Sequence, residues 1–135
     1  MLPSQAFSVL VLDDEPAAST ALAESGFAVT AVRTGEEAMD LIRERPFDLI
    51  LLDMNVPGWN SLEGCSQIRK FTPGSKIIIL AAVDADEDRV RALEAGADDC
   101  VNKPPPPAGV VARARAVLRH QSRQPERGAV GRRAS

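Results

Sequence analysis

Two runs of consecutive hydrophobic residues, each followed by acids, constrain the fold of this chain more than any other feature. Residues 9–12 lead into Asp13 and Asp14, and residues 49–52 lead into Asp53. Four hydrophobic residues in a row, without polar alternation, are typical of a strand buried on both faces of a parallel sheet. If the two runs form neighbouring parallel strands, the three acids meet at the carboxyl edge of the sheet, where such folds form their binding crevice.

Apolar runs of this kind alternate with segments of helical periodicity along most of the chain. We expect strands near residues 8–12, 27–32, 48–53, 76–82 and 99–102, and helices near residues 16–25, 35–44, 60–70, 86–95 and 108–120. The order predicts an α/β domain of five βα units, with helices on both faces of a five-stranded parallel sheet. The proline run at 104–107 must end the fifth strand, and its last member can open the final helix.

The fourth predicted helix has recognisable signals at its start, along its inner face and at its end. Asp84 and Glu87 are three residues apart, which is the spacing of a capping box at a helix start. We expect Val90 and Leu93 to face the sheet because they lie three residues apart on one side of the helix. Gly96 fits the end of the helix.

Length and charge indicate one acidic domain with a basic end. A chain of 135 residues with 44% hydrophobic content supports one ordinary core. From Arg119 onward, five arginines against one glutamate give a charge of +4, which leaves residues 1–118 at −7. We expect a folded domain at 1–121 and a basic flexible tail at 122–135, which is either the end of a stand-alone protein or the stub of a linker. The acidic body favours a cation as ligand, and the tail lacks the interleaved aromatics of a nucleic-acid-binding segment.

The two cysteines and the hydropathy pattern indicate the compartment. Cys65 and Cys100 lie far apart and form no metal-ligand motif, so we expect small core or helix positions rather than redox groups. Neither a signal peptide nor a long apolar span is evident in the sequence. We therefore expect a cytoplasmic protein without membrane contact. The single tryptophan, Trp59, is expected to pack or to be partly exposed beside the loop that follows Asp53.

The three acids suggest phosphoryl chemistry assisted by a divalent cation. Mg²⁺ prefers oxygen ligands, and Mn²⁺ accepts the same donors, so Asp13, Asp14 and Asp53 are candidate ligands. Their mutual repulsion requires a compensating positive charge, which the cation or Lys103, at the end of the fifth strand, can provide. A carboxylate beside such a cation can attack a phosphoryl donor and form an aspartyl phosphate. The simpler alternative is that these acids only cap a helix and end a strand.

At this point the sequence resembles the receiver domains of two-component response regulators. The resemblance covers roughly residues 8–120 and is carried by DDEP after the first strand, LILLDMNVPG at the third, GADDCVNKP around the fifth, and GEEAMDLI in the second helix. It implies the flavodoxin-like (βα)5 receiver fold, with the parallel strands in the order 2-1-3-4-5.

The resemblance also implies a role for each site residue. Asp53 looks like the phosphoacceptor and a metal ligand. Asp14 would bind Mg²⁺ directly, Asp13 mainly through water, and the backbone carbonyl of Asn55 would complete the protein ligands. Lys103 would pair with the phosphoryl oxygens.

Two positions depart from the family's usual pattern for the conformational switch. The family usually has Thr or Ser at the end of the fourth strand, where this chain has Ala81, and Tyr or Phe in the fifth strand, where it has Cys100. Alanine has no donor for a phosphoryl group, and cysteine has no ring to turn inward. We therefore expect a response to phosphorylation that is weaker or differently routed, since a ligand shifts a population only through differential contacts.

Three functions follow from these observations. The first is a receiver that takes a phosphoryl group on Asp53, in a Mg²⁺-dependent reaction, from a sensor histidine kinase or a small phosphodonor. It would signal through protein contacts, with a homodimer through the fourth helix, fifth strand and fifth helix as one option, and would not be a metabolic enzyme. The second is an interaction module that works without phosphorylation, suggested by Ala81 and Cys100. The third is a small phosphohydrolase with a DxDx(T/V)-like nucleophile motif, although Asn55 cannot transfer the proton that such enzymes need.

Overall fold

Five parallel strands form a single sheet in this computed structural model, which describes residues 6–82, 86–103 and 105–119. The strands are β1 (Ser8–Leu12), β2 (Ala28–Val32), β3 (Leu49–Asp53), β4 (Asn55–Val56), β5 (Trp59–Asn60), β6 (Lys76–Ala82) and β7 (Asp99–Lys103). The helices are α1 (Ala17–Glu24), α2 (Gly35–Glu44), α3 (Ser61–Phe71), α4 (Asp86–Glu94) and α5 (Pro107–Leu118). The five-stranded sheet has the order β2-β1-β3-β6-β7, whereas β4 and β5 form a separate pair. Since β6 and β7 are the fourth and fifth strands of the parallel sheet, this confirms the predicted order 2-1-3-4-5.

The hydrophobic runs are the central strands of the sheet and supply both halves of the core. Leu10 and Leu12 of β1 contribute to a cluster shared with α2, α3 and α4. Val9 and Val11, on the opposite face, pack with α1 and α5. Because alternate side chains of a strand point to opposite faces, a strand covered by helices on both sides must be hydrophobic throughout. The predicted α/β fold class is therefore confirmed.

A two-stranded hairpin between β3 and α3 was not predicted. Strands β4 and β5 pair antiparallel, with Asn55 opposite Asn60 and Val56 opposite Trp59. The turn between them is Pro57-Gly58, and Gly58 has a φ of 73°. A type II turn places proline second and requires a positive φ at the third residue, which glycine adopts without strain.

Local signals explain where two of the helices begin. The Asn60 Oδ1 atom accepts hydrogen bonds from the backbone N–H groups of Leu62 (3.0 Å) and Glu63 (3.1 Å), so α3 begins directly after this cap. Helix α5 begins with Pro107, as predicted, since a helix's first residue needs no N–H donor.

The predicted inner face of α4 was wrong. Val90 and Leu93 are 51% and 47% exposed, and the buried residue of this helix is Ala92. Arg89 explains part of the orientation, because its Nη1 donates a hydrogen bond to the Cys100 carbonyl of β7 at 2.7 Å. The helix thus faces the sheet with a small side chain and a long basic one. Asp84, in the predicted capping box, lies outside the described residues.

The end of α5 at Leu118 is close to the predicted end of the domain at 121. The predicted basic tail at 122–135 lies outside the described residues and remains a prediction. Within the described ranges, none of the helices has the length and apolar character needed to cross a membrane.

Candidate functional site

Three carboxylates meet at the carboxyl edge of the sheet. Asp13 and Asp14 directly follow β1, and Asp53 is the last residue of β3. Strands β1 and β3 are adjacent, with Leu12 opposite Leu52, so their ends coincide. One oxygen of each acid lies within 4.8 Å of the others. Asp13 and Asp53 are buried, whereas Asp14 is exposed, so the cluster opens to solvent on one side.

Three hydrogen bonds surround Asp53. Its Oδ2 accepts a hydrogen bond from Lys103 Nζ. Its Oδ1 accepts one from the backbone N–H of Asn55, the first residue of β4, at 3.0 Å. Its backbone carbonyl accepts one from Ser61 Oγ, the first residue of α3, at 2.6 Å. Each carboxylate oxygen therefore has one donor, and the residue is held from both ends of the hairpin.

Lys103 supplies positive charge to this cluster. It is the last residue of β7, and its Nζ also lies 3.6 Å from Asp13 Oδ1. Burial by itself would lower the pKa of the Lys103 ammonium. The hydrogen bond and charge of Asp53, together with the charges of Asp13 and Asp14, outweigh this and raise the pKa above its ordinary 10.5. Lys103 is therefore protonated at neutral pH.

One lysine does not neutralise three acids. Burial raises the pKa of Asp13 above its ordinary 3.8, and the neighbouring Asp53 and Asp14 act in the same direction. A 3.3 Å hydrogen bond from the backbone N–H of Glu15 and the charge of Lys103 only partly oppose this. The site therefore favours an additional cation. Closely spaced carboxylate oxygens are the hard ligands that Mg²⁺ or Mn²⁺ requires, so the residues present fit such an ion.

The other predicted site residues lie around this cluster. Asn55 begins the hairpin, and its backbone N–H, rather than its side chain, contacts Asp53. Ala81 of β6 follows Leu80, which is opposite Asp53 in the sheet. Cys100 lies in β7, opposite Ile79. The metal-ligand role of the Asn55 carbonyl and the switch roles of positions 81 and 100 remain predictions.

Both cysteines belong to the core, as expected from the sequence. Cys65 and Cys100 are 0% and 3% exposed, and both contact the cluster on the α2, α3 and α4 face. Burial raises the pKa of the Cys65 thiol to about 11 and also raises that of Cys100. Neither thiol is thus activated as a nucleophile at neutral pH.

The Trp59 ring packs against Gly35 of α2 and Gly64 of α3, in a space that we call its seat and that was not predicted from the sequence. A Cβ atom built on Gly35 of α2 or on Gly64 of α3 would overlap the Trp59 ring. The indole therefore fills the space left by two absent side chains on two helices. The Pro57-Gly58 pair is a turn signal, but it does not indicate where the ring packs, because one of the two contacts is with Gly35, more than twenty positions away.

Comparison with known proteins identifies the family. The sequence model of the response regulator receiver domain matches residues 9–115. The transcriptional regulatory protein AfsQ1 of Streptomyces coelicolor is 42% identical over 121 residues, which are 87% of this chain and 53% of AfsQ1. The transcriptional regulatory protein BaeR of Escherichia coli O6:H1 is 35% identical over 122 residues, which are 87% of this chain and 50% of BaeR. The chain thus spans about half the length of these curated relatives.

A solved structure supports the same assignment. The BeF3-activated receiver domain of DrrB, a Thermotoga maritima protein, superposes with a TM-score of 0.76 at 30% identity. The superposition covers 84% of this chain and 98% of the DrrB domain. The chain therefore belongs to the response regulator receiver domain family, whose members are phosphoacceptor modules of two-component signalling rather than metabolic enzymes.

Proposed function

We propose that this domain accepts a phosphoryl group on Asp53 in a reaction that depends on Mg²⁺ or Mn²⁺. The observation that carries the proposal is the pairing of Asp53 with Lys103 beside two further acids. A buried carboxylate at the open edge of a sheet, with the Lys103 ammonium in contact, has a nucleophilic oxygen and a positive partner for the charge of the transferred phosphoryl group. Membership in the receiver family supports phosphoryl chemistry at this arrangement.

In the proposed step, an oxygen of Asp53 attacks the phosphorus of the donor. The new O–P bond forms as the bond from phosphorus to the donor's leaving atom breaks, and the leaving group keeps that electron pair. An imidazole leaving group also takes up a proton, whereas an acyl phosphate releases its carboxylate as the anion. Lys103 then exchanges its hydrogen bond to the carboxylate for one to a phosphoryl oxygen, because the charge has moved there. Asp13, Asp14 and Asp53, with the Asn55 carbonyl, would hold the cation, which would neutralise the charge of the phosphoryl oxygens.

The donor we propose is a sensor histidine kinase, with a small acyl phosphate as a substitute in vitro. Two-component response regulators are paired with such kinases, whose phosphoryl group originates from ATP. We therefore propose that the reaction takes place in the cytoplasm. AfsQ1 and BaeR are transcriptional regulators, and the match covers about half of the length of each. We propose that the output of this domain is a protein contact and not direct binding to nucleic acid, since residues 1–118 carry a charge of −7.

An interaction module that works without phosphorylation is the second candidate. Ala81 and Cys100 favour it, because they provide neither a phosphoryl donor nor a ring that changes position. A phosphohydrolase is disfavoured because Asn55, at the position where those enzymes need an acid, directs an amide outward and cannot transfer a proton.

The test is the intact mass of the whole chain after incubation with acetyl phosphate and Mg²⁺. We expect one phosphoryl adduct in the wild type. We expect none in Asp53→Asn, none with the metal chelated, and an undiminished adduct in the control Asp40→Asn, an exposed acid of α2. A folded wild type that remains unmodified would favour the second candidate, and sustained release of phosphate from a generic phosphate ester would favour the third.

A further inference from the structure

The phosphoacceptor is mechanically tied to the β4–β5 hairpin. At the start of the hairpin, the Asn55 N–H donates a hydrogen bond to Asp53 Oδ1. Directly after its end, Ser61 Oγ donates a hydrogen bond to the Asp53 carbonyl. Pairing of Asn55 with Asn60 joins the two ends. A change at the Asp53 side chain therefore acts directly on the first residue of the hairpin.

Phosphorylation weakens this tie whichever carboxylate oxygen reacts. If Oδ1 forms the new bond, the Asn55 N–H loses its acceptor. If Oδ2 reacts, the carboxylate becomes an acyl phosphate, and the remaining oxygen loses most of its negative charge. Hydrogen bonds to ionised acceptors are roughly twice as strong as neutral ones, so the bond at 3.0 Å weakens in both cases.

In this structure the hairpin is held by the packing of Trp59, and a groove lies beside it. Trp59, paired with Val56, is half-buried against Gly35 and Gly64, where no side chain fits beneath the ring. The hairpin, including Trp59, also lines an open groove of about 610 Å³, whose other lining residues include Asp88 and Arg91 of α4. Among the described residues, this groove leaves space into which the hairpin can move toward α4, and such a movement would withdraw the indole from its seat.

Gly64 is further evidence that the seat is a specific feature. It lies in the interior of α3, where glycine costs about 1 kcal/mol of helix stability relative to alanine. The compensation visible in the structure is the space that it leaves for the Trp59 ring. The packing of one aromatic ring thus determines the residue type at a position on another element.

We propose that the phosphorylation state of Asp53 is transmitted to the surface by the β4–β5 hairpin, through release of the Trp59 ring from its seat between α2 and α3. This inference rests on the proposed function. It offers a route that does not require a hydroxyl at position 81 or a ring at position 100. The surface that changes is the hairpin together with the groove that it shares with α4.

The fluorescence of Trp59 tests the proposal, because the chain has one tryptophan and no tyrosine. The whole chain is incubated with Mg²⁺, with and without acetyl phosphate, and each sample is split between intact mass and fluorescence with an acrylamide quencher. We expect the adduct to be accompanied by a red shift of the emission and by an increase in quenching. Asp53→Asn with Mg²⁺ and donor controls for effects of the metal and the reagent.

Gly64→Ala is the matched variant, since its added methyl group unseats the ring without touching the acids. We expect its unmodified form to resemble phosphorylated wild type in emission and quenching, and to change little when it acquires the adduct. An adduct in wild type with unchanged fluorescence and quenching would overturn this inference and leave the proposed function standing. No adduct in a folded wild type would overturn the proposed function, and this inference with it.

Discussion

Lys103 at the end of β7 donates a hydrogen bond to Asp53 at the end of β3, although β6 lies between these strands. The contact requires a long side chain that lies along the edge of the sheet. It pairs the Lys103 ammonium with the buried carboxylate that we propose as phosphoacceptor. Loss of Lys103 should therefore affect both stability and chemistry.

We predict that Lys103→Ala lowers the free energy of unfolding by about 1 to 3 kcal/mol at pH 7 without Mg²⁺, because Asp53 and Asp13 are left buried without their positive partner. Mg²⁺ should restore more stability to this variant than to the wild type. Urea unfolding with and without Mg²⁺ measures both effects. The control is Lys70→Ala, an exposed lysine of α3 that should change stability by less than about 0.5 kcal/mol. Equal loss in the two variants would contradict the account.

We predict that Asp13→Asn stabilises the metal-free protein at pH 7. The native pKa of Asp13 is raised mainly by burial, so between 3.8 and the raised value the native state binds more protons than the unfolded state. Its contribution to stability consequently falls as pH rises through this window. The free energy of unfolding of the variant should exceed that of the wild type by an amount that grows from pH 4 to pH 7, as measured by urea unfolding. Mg²⁺ should stabilise the wild type more than the variant, and an advantage that shrinks with rising pH would refute the assignment.

Gly64 and Trp59 should be energetically coupled. In wild type we expect Gly64→Ala to destabilise the domain by about 1 to 3 kcal/mol, since the methyl group overlaps the Trp59 ring. In a Trp59→Ala background the same change should stabilise it by about 1 kcal/mol, the ordinary helix preference for alanine. A double-mutant cycle from urea unfolding yields the coupling directly. The same sign in both backgrounds would show that the ring is not seated on Gly64.

Arg69 connects α3 to two loops. Its guanidinium donates to the carbonyls of Gly96 at 2.7 Å and of Ser75 at 2.6 Å, and it pairs with Asp98 at 2.7 Å. We predict that Arg69→Ala lowers the free energy of unfolding by about 2 to 4 kcal/mol, because several partly buried acceptors lose their donor together. Arg43→Ala, at the exposed pair with Asp40, should cost about 0 to 1 kcal/mol. Thermal unfolding that ranks the two variants in the opposite order would be inconsistent with this role.

The sheet and the acidic cluster were predictable from the sequence because their signals are local and strong. A continuous hydrophobic run identifies a doubly covered strand, and the residue at which it stops lies at the edge of the sheet. Parallel topology then brings the ends of β1 and β3 together, with Asp13, Asp14 and Asp53 attached to them. The family resemblance added the strand order and the pairing of Lys103 with the phosphoryl oxygens.

The hairpin and the orientation of α4 could not be predicted in the same way. Strands of two residues are too short to show any periodicity, and the seat of Trp59 is created by glycines on two other elements. In α4, Val90 and Leu93 have helical spacing, but the helix is fixed by Ala92 against the core and by Arg89 bonded to β7. A small residue and a charged one carry little weight in a hydrophobic pattern, although here they determine which side faces inward.

Identification of the modified residue is the most direct test of phosphorylation at Asp53. The chain is treated with acetyl phosphate and Mg²⁺, reduced with borohydride, which converts an aspartyl phosphate to homoserine, and analysed by peptide mass spectrometry. We predict homoserine at position 53 alone, and none when the metal is chelated. Homoserine at position 13 or 14, or an unmodified Asp53 in a folded sample that binds Mg²⁺, would contradict this prediction.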